Sequence, residues 1–129
     1  MLPPPRSISQ PKLIPVVLRL KDTYNLWQQY VVHFPKQNRY TLGNKIDEIF
    51  LAAIEYCFLA SYANRETKTV QLERCISRVD LLKLFLLLAW EIHAIDIKKY
   101  TVLSEQLLEV GKMLGGWRKG LATKNSPQE

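Results

Sequence analysis

The chain has 129 residues and a formal net charge of +6, with 18 Lys and Arg against 12 Asp and Glu. This length fits one domain and is too short for two, and a hydrophobic share of 47% excludes intrinsic disorder for the body of the chain. Residues 1–64 hold seven basic and four acidic residues, and residues 65–129 hold eleven and eight, so the basic excess is spread over both halves. Such a surface favours polyanionic partners.

The cysteine content and the hydropathy of the chain indicate the cellular compartment in which the protein is expected. Cys57 and Cys75 are the only cysteines and lie in apolar helical stretches, so buried reduced thiols in a cytosolic protein are expected. A disulfide across a helical hairpin is the alternative. Residues 1–15 lack the apolar run of a signal peptide, and the most hydrophobic stretch, Leu81–Ile92, is too short to span a bilayer. We therefore expect a soluble, cytoplasmic protein.

Five prolines in residues 1–15 predict an extended arm, because proline interrupts both helices and strands. From residue 16 onwards, apolar residues recur every three or four positions, the spacing of one face of an α-helix. This first stripe ends before Pro35 and consists of Val17, Leu20, Tyr24, Trp27, Val31 and Phe34. A polar loop is predicted over residues 35–40.

A second helix is predicted to begin at Thr41 as its N-cap, with Asp47 and Glu48 suiting the positive end of the helix dipole. It is predicted to end near Asn64, before a polar turn over residues 64–69. Its apolar stripe is Ile46, Phe50, Ala53, Cys57 and Ala60.

The third predicted helix is apolar over most of its circumference, which predicts that it is the most buried of the four. Its main stripe is Leu72, Ile76, Val79, Leu82 and Leu86, and further apolar positions are Leu81, Leu84, Phe85 and Leu88.

The fourth predicted helix follows a break at residues 93–99 and is capped by Thr101. Its stripe, at steps of four, three, four and three, is Leu103, Leu107, Val110, Leu114 and Trp117. Gly111 and Gly115 interrupt it, although glycine costs a helix roughly 1 kcal/mol relative to alanine. Either their missing side chains let another backbone come close, or Gly115 and Gly116 end the helix in a left-handed cap. Residues 122–129 are predicted to be a polar tail.

Four such helices joined by short loops predict an all-α fold, an antiparallel up-down-up-down four-helix bundle over residues 16–121. The third helix has more apolar surface than one core stripe uses, and the first adds Leu26, Tyr30 and Val32 beside its stripe. Unused apolar surface favours self-association, so a homo-oligomer is expected.

No constellation of catalytic or metal-binding residues is recognisable. His33, Cys57, Cys75 and His93 lack the close pairs of a zinc site, and neither histidine follows a glutamate by three positions, as in di-iron bundles. The glycines follow no strand, which argues against a phosphate-binding loop. We therefore expect a protein that is not an enzyme and uses no cofactor or metal.

The basic residues selected as candidate nucleic-acid contacts lie on the third and fourth helices: Arg74, Arg78, Lys83, Lys112, Arg118 and Lys119. Arg74 and Arg78 are four apart and share a helix face. The alternative for them is a solvated face with weak ion pairs to Glu73 and Asp80. Lys83 interrupts an apolar run, so its ammonium group either reaches water or faces a partner. Arg118 and Lys119 equally suit a helix C-terminus.

The sequence resembles the Avd family, the accessory variability determinants of diversity-generating retroelements, over roughly residues 13–121. The most specific part is Glu109–Trp117, which resembles the family's closing motif of Val-Gly, a basic residue, two apolar residues, Gly, a small residue and Trp. The run Leu81–Ala89 resembles a family run with basic residues four apart; Lys83 matches the first of them, whereas Leu87 departs from the second.

This resemblance implies a homopentamer of four-helix bundles with a positively charged surface. It also implies binding to a retroelement reverse transcriptase and to template RNA or DNA, in support of mutagenic retrohoming. Two alternatives stay open: a related four-helix-bundle protein encoded in a 23S rRNA intervening sequence, and a helical RNA-cleaving enzyme.

Overall fold

The computed structural model describes residues 11–125, whose regular secondary structure is entirely helical, without a strand. Four long helices are α1 (Pro15–Val31), α2 (Asn44–Tyr62), α3 (Arg65–Glu91) and α4 (Ile97–Asn125). A short helical segment, Lys36–Asn38, and a π-helical turn, Arg39–Gly43, connect α1 to α2. The predicted all-α four-helix bundle is confirmed.

The four helices form a ring in which each runs antiparallel to its two neighbours. Side-chain contacts join the later part of one helix to the earlier part of the next: Tyr24 with Phe50, Tyr56 with Arg74, and Trp90 with Tyr100. The ring closes where Thr23, in the middle of α1, hydrogen-bonds to Gln106 of α4. The ring order is therefore α1, α2, α3, α4 and back to α1, the up-down-up-down arrangement expected from the short connections.

The core consists of two adjoining clusters built from the predicted stripes. Trp27 is fully buried in the first cluster, where its ring meets Phe34 edge-on at 5.3 Å and stacks on Phe50 at 6.0 Å. The second cluster contains Leu20, the cysteine pair and the late residues of the fourth stripe, among others. Burial of such large side chains stabilises the fold by roughly 1.5–3 kcal/mol each. The stripes were predicted correctly because all four keep the spacing of a single helix face.

The predicted start of the second helix is wrong. Helical structure resumes directly after Pro35, whose carbonyl accepts hydrogen bonds from the amides of Asn38 and Arg39. Thr41 lies inside the π-helical turn, with its hydroxyl pointing back to the carbonyls of the preceding turn, and is not an N-cap. Arg39 fixes this connection by donating to the carbonyl oxygens of Val32 and Phe34 at 3.1 and 3.2 Å.

The third helix begins at Arg65, so the predicted polar turn over residues 64–69 is mostly helical. The Asn64 side chain accepts a hydrogen bond from the Thr67 amide at 3.0 Å and is the N-cap. The prediction that this helix is the most buried is also wrong. Six of its 27 residues are buried, against six of the 19 in α2. Its exposed large apolar side chains are Val70, Leu84, Leu87, Leu88 and Trp90.

The fourth helix begins earlier and ends later than predicted. Asp96 caps it, because its carboxylate accepts from the Lys99 amide at 2.9 Å, whereas Thr101 lies within the helix. The described residues of α4 continue to Asn125, so the first four residues of the predicted tail are helical. The predicted arm and tail otherwise lie largely outside the described residues.

His93, two residues after the end of α3, has a left-handed conformation with φ at 63°, and the Ala94 amide donates a hydrogen bond to the Ala89 carbonyl at 2.8 Å. A residue with a Cβ is strained in this conformation by roughly 1–2 kcal/mol, whereas glycine adopts it freely. His93→Gly is therefore expected to raise the free energy of unfolding by about 0.5–1 kcal/mol, measured by urea denaturation. His33→Gly is the control, since His33 has no positive φ. An equal gain in both variants would contradict strain at His93.

Candidate nucleic-acid interface

A surface groove runs along the seam between α3 and α4. Two cavities of 270 and 530 Å³ lie along this seam and share Gly115 and Arg118. We call their combined lining the α3–α4 groove; it is Thr69, Glu73, Ile76, Val79, Asp80, Lys83, Leu108, Gly111, Lys112, Leu114, Gly115, Arg118, Lys119 and Ala122.

The groove is open because α4 presents two glycines to it. A Cβ placed on Gly115 would meet no atom within 4 Å, and one on Gly111 would meet only the Lys83 Nζ, at 3.2 Å. Neither Gly115 nor Gly116 has a positive φ, so the left-handed cap considered for them is wrong. The glycines lie inside a continuous helix, and no backbone from another part of residues 11–125 fills the space beside them.

Four of the six predicted cations line this one groove: Lys83 from α3, and Lys112, Arg118 and Lys119 from α4. They converge because α3 and α4 run antiparallel, which places the middle of α3 opposite the glycine segment of α4. Cations along a narrow cleft sum their fields and attract polyanions. Geometry therefore supports these four as one site.

Two carboxylates share the groove and pair with its cations. Glu73 lies 3.4 Å from Arg118, and Asp80 lies 3.8 Å from Lys83. All four side chains are at least 40% exposed, and exposed pairs of this kind contribute roughly 0–1 kcal/mol. The predicted alternative, in which these acids pair with Arg74 and Arg78, has no such pair among the described residues. Four cations against two carboxylates leave the groove lining with a net positive charge.

Arg74 and Arg78 do not line the α3–α4 groove. The Arg74 guanidinium lies over the Tyr56 ring at 5.9 Å, and Arg78 lines a cavity together with Lys45 and Glu48 of α2. They lie toward the α2-facing side of α3, where both also line a cavity of 440 Å³ that includes Thr69 and Glu73 of the groove. The predicted set of six therefore divides into four groove cations and an adjoining pair.

Lys68 was missed by the sequence analysis. Its Nζ lies over the Trp117 ring at 5.9 Å, beside an apolar cavity of 400 Å³ between the start of α1 and the end of α4. It was overlooked because residues 64–69 were assigned to a turn. The Asn64 cap followed by Glu66 was the signal that would have extended the helix to include it.

Cys57 and Cys75 are free and fully buried, as expected, and form no disulfide. A hydrogen bond with Cys57 and burial both raise the pKa of the Cys75 thiol well above its ordinary value, which keeps it protonated and unreactive.

Among residues 11–125, no three side chains of the metal-ligating types converge on one point. No helix in this range has the length and apolar character needed to cross a bilayer.

One family model, described as bAvd-like, matches residues 16–121, which include almost all of the bundle and every residue that lines the groove except Ala122. No curated protein matches the chain.

Proposed function

Because the chain belongs to the bAvd-like family, we propose that it is a non-catalytic accessory protein of a diversity-generating retroelement. In this role it binds the reverse transcriptase of the element and the template RNA or DNA, and thereby supports mutagenic retrohoming in the cytoplasm. The convergence of Lys83, Lys112, Arg118 and Lys119 on one groove carries the nucleic-acid part of the proposal. The proposed binding to the reverse transcriptase rests on family membership alone.

We also propose that the working form is a homo-oligomer, a pentamer by analogy with the family. The support is the row of exposed apolar side chains on α3, where Leu84 is 49% and Leu88 is 37% exposed. By contrast, Leu26 and Tyr30 of α1 pack against the core, so the first helix adds less unused surface than predicted. An oligomer repeats a weakly binding groove, and the repetition raises overall affinity through avidity.

Nucleic-acid binding is expected to weaken steeply with salt and to depend little on sequence. If the four groove cations contact four phosphates of a single strand, the log–log slope of affinity against salt is about −3 per occupied groove. Affinity should then fall about 60-fold between roughly 50 and 200 mM NaCl, measured by fluorescence anisotropy with a labelled oligonucleotide. A peptide nucleic acid of the same sequence, which has an uncharged backbone, is the control and should not bind. Affinity that stays constant with salt would contradict the proposal.

Sequencing the DNA around the gene tests the biological assignment separately. A neighbouring reverse-transcriptase gene with paired template and variable repeats is the expected result. A position inside a 23S rRNA gene would instead favour the intervening-sequence protein, and the bundle and its groove would be unaffected.

A further inference from the structure

Resting on the proposed function, we propose that the sugar–phosphate backbone of a nucleic-acid strand lies along the α3–α4 groove, and that Glu73 and Asp80 compete with it for the groove cations. The phosphates would contact Lys83, Lys112, Arg118 and Lys119. The two carboxylates pair with Arg118 and Lys83 when the groove is empty and lose these pairs when a phosphate arrives.

The arrangement of charge supports this assignment. Lys83 approaches from α3 and the other three cations from α4, so a strand in the groove is contacted from both sides. From Leu108 to Ala122 the groove extends about 21 Å along α4, at 1.5 Å per residue. This is room for more than one phosphate, and the cations at 112 and at 118–119 lie near its two ends.

The shape of the groove supports the same occupant. A strand backbone needs space close to the helix axis, and Gly115 provides it because nothing lies within 4 Å of where its Cβ would be. Lys83 reaches across Gly111, so its ammonium group stands over the floor of the groove. The four cations thus border the channel, whereas Arg74 lies over an aromatic ring and Arg78 lines cavities next to the channel.

The two ion pairs make the site adjustable. Both pairs are exposed, so opening either of them costs little, and a phosphate offers the released cation a charge-assisted contact. The carboxylates therefore set the affinity of the groove. Removing their charge should strengthen binding, which is the opposite of what removing a structural ion pair would do.

The first test narrows the groove without changing charge. Gly115→Gln places a long neutral side chain in the channel, and Gly120→Gln places the same side chain on α4 outside the groove lining, where nothing lies within 4 Å either. We expect Gly115→Gln to weaken oligonucleotide binding at least about tenfold and Gly120→Gln to change it less than about twofold. Equal affinities in the two variants, with unchanged helical circular dichroism, would overturn the proposal.

The second test introduces no larger side chain, so it can test the groove assignment even if Gly115→Gln does not fold. The double variant Glu73→Gln/Asp80→Asn should bind about tenfold more tightly at low salt. The control, Asp22→Asn/Glu55→Gln, makes the same change in net charge on α1 and α2 and also opens one exposed pair, that of Asp22 with Lys21. A gain no larger than that of the control would overturn the proposal.

The outcomes separate this proposal from the function on which it rests. Salt-dependent binding by the wild type without an effect specific to the groove variants would remove the groove assignment and keep nucleic-acid binding. No binding by the wild type would remove both. Polyglutamate that displaces the oligonucleotide at equal charge concentration would identify an acidic polypeptide as the ligand and overturn the proposal.

Discussion

Reversing two groove cations, Lys112→Glu with Arg118→Glu, is expected to lower nucleic-acid affinity by at least about 100-fold at low salt. Each lost contact between a charged side chain and a phosphate costs about 1.5 kcal/mol, close to the roughly 1.4 kcal/mol of a tenfold change, and the new carboxylates add repulsion. The log–log salt slope should also become shallower by about 1.4 for a single strand, because two phosphate contacts are gone. Fluorescence anisotropy over a salt series measures both quantities.

The matched control is Arg74→Glu with Arg78→Glu, which lowers the net charge by the same amount. This variant should also bind more weakly, because the summed field of the protein falls, but its loss should stay near tenfold. Both variants should keep their helical content and oligomeric state. A larger loss for the Arg74 and Arg78 pair would move the main contact to the α2-facing side of α3.

A second large effect is expected at the exposed apolar face of α3. Leu84 and Leu88 are four residues apart and share a face, so Leu84→Glu with Leu88→Glu places two charges in the proposed subunit contact. Burial of each leucine contributes roughly 1.5–3 kcal/mol to a subunit contact. Loss of both should therefore raise the dissociation constant of that contact by about two orders of magnitude or more. Light scattering at micromolar concentration should then show a monomer where the wild type shows an oligomer.

The control for this face is Leu51→Glu with Leu59→Glu on α2, where the side chains are 48% and 44% exposed. This variant is expected to remain oligomeric. Dissociation of the control alone would assign the contact to α2, and a monomeric wild type would contradict self-association altogether. Higher salt should strengthen the subunit contact, because it screens repulsion between basic subunits, while it weakens nucleic-acid binding.

The core of this bundle could be predicted from the sequence, but its helix ends could not. Stripes such as the one from Leu103 to Leu114 specify which face is buried, because spacing of three and four residues determines the face directly. Helix ends depend on one local hydrogen bond chosen among several polar candidates. Asn64 and Asp96 make those bonds, whereas Thr41 and Thr101, which were predicted to, lie inside helical turns.

The sequence allowed the individual groove cations to be selected as candidates, but it did not show that they line the same groove. Lys83 and Lys112 are distant in the chain, and they share a groove because α3 meets α4 along the glycine segment, where Gly115 leaves open space. Periodicity places a residue on a helix face but does not determine how closely two helices approach. The same limit explains why Arg74 and Arg78 were grouped with the groove cations, although they face α2.

The glycines that open the groove also determine where the bundle loosens first. Gly111, Gly115, Gly116 and Gly120 lie within ten residues of α4, and each weakens a helix by roughly 1 kcal/mol relative to alanine. We therefore expect the last turns of α4 to open by local unfolding at a lower free energy than the rest of the bundle, and their amides to exchange hydrogen fastest among the four long helices. A ligand held between α3 and these turns would slow that exchange, so the order of this helix end is coupled to occupancy of the groove.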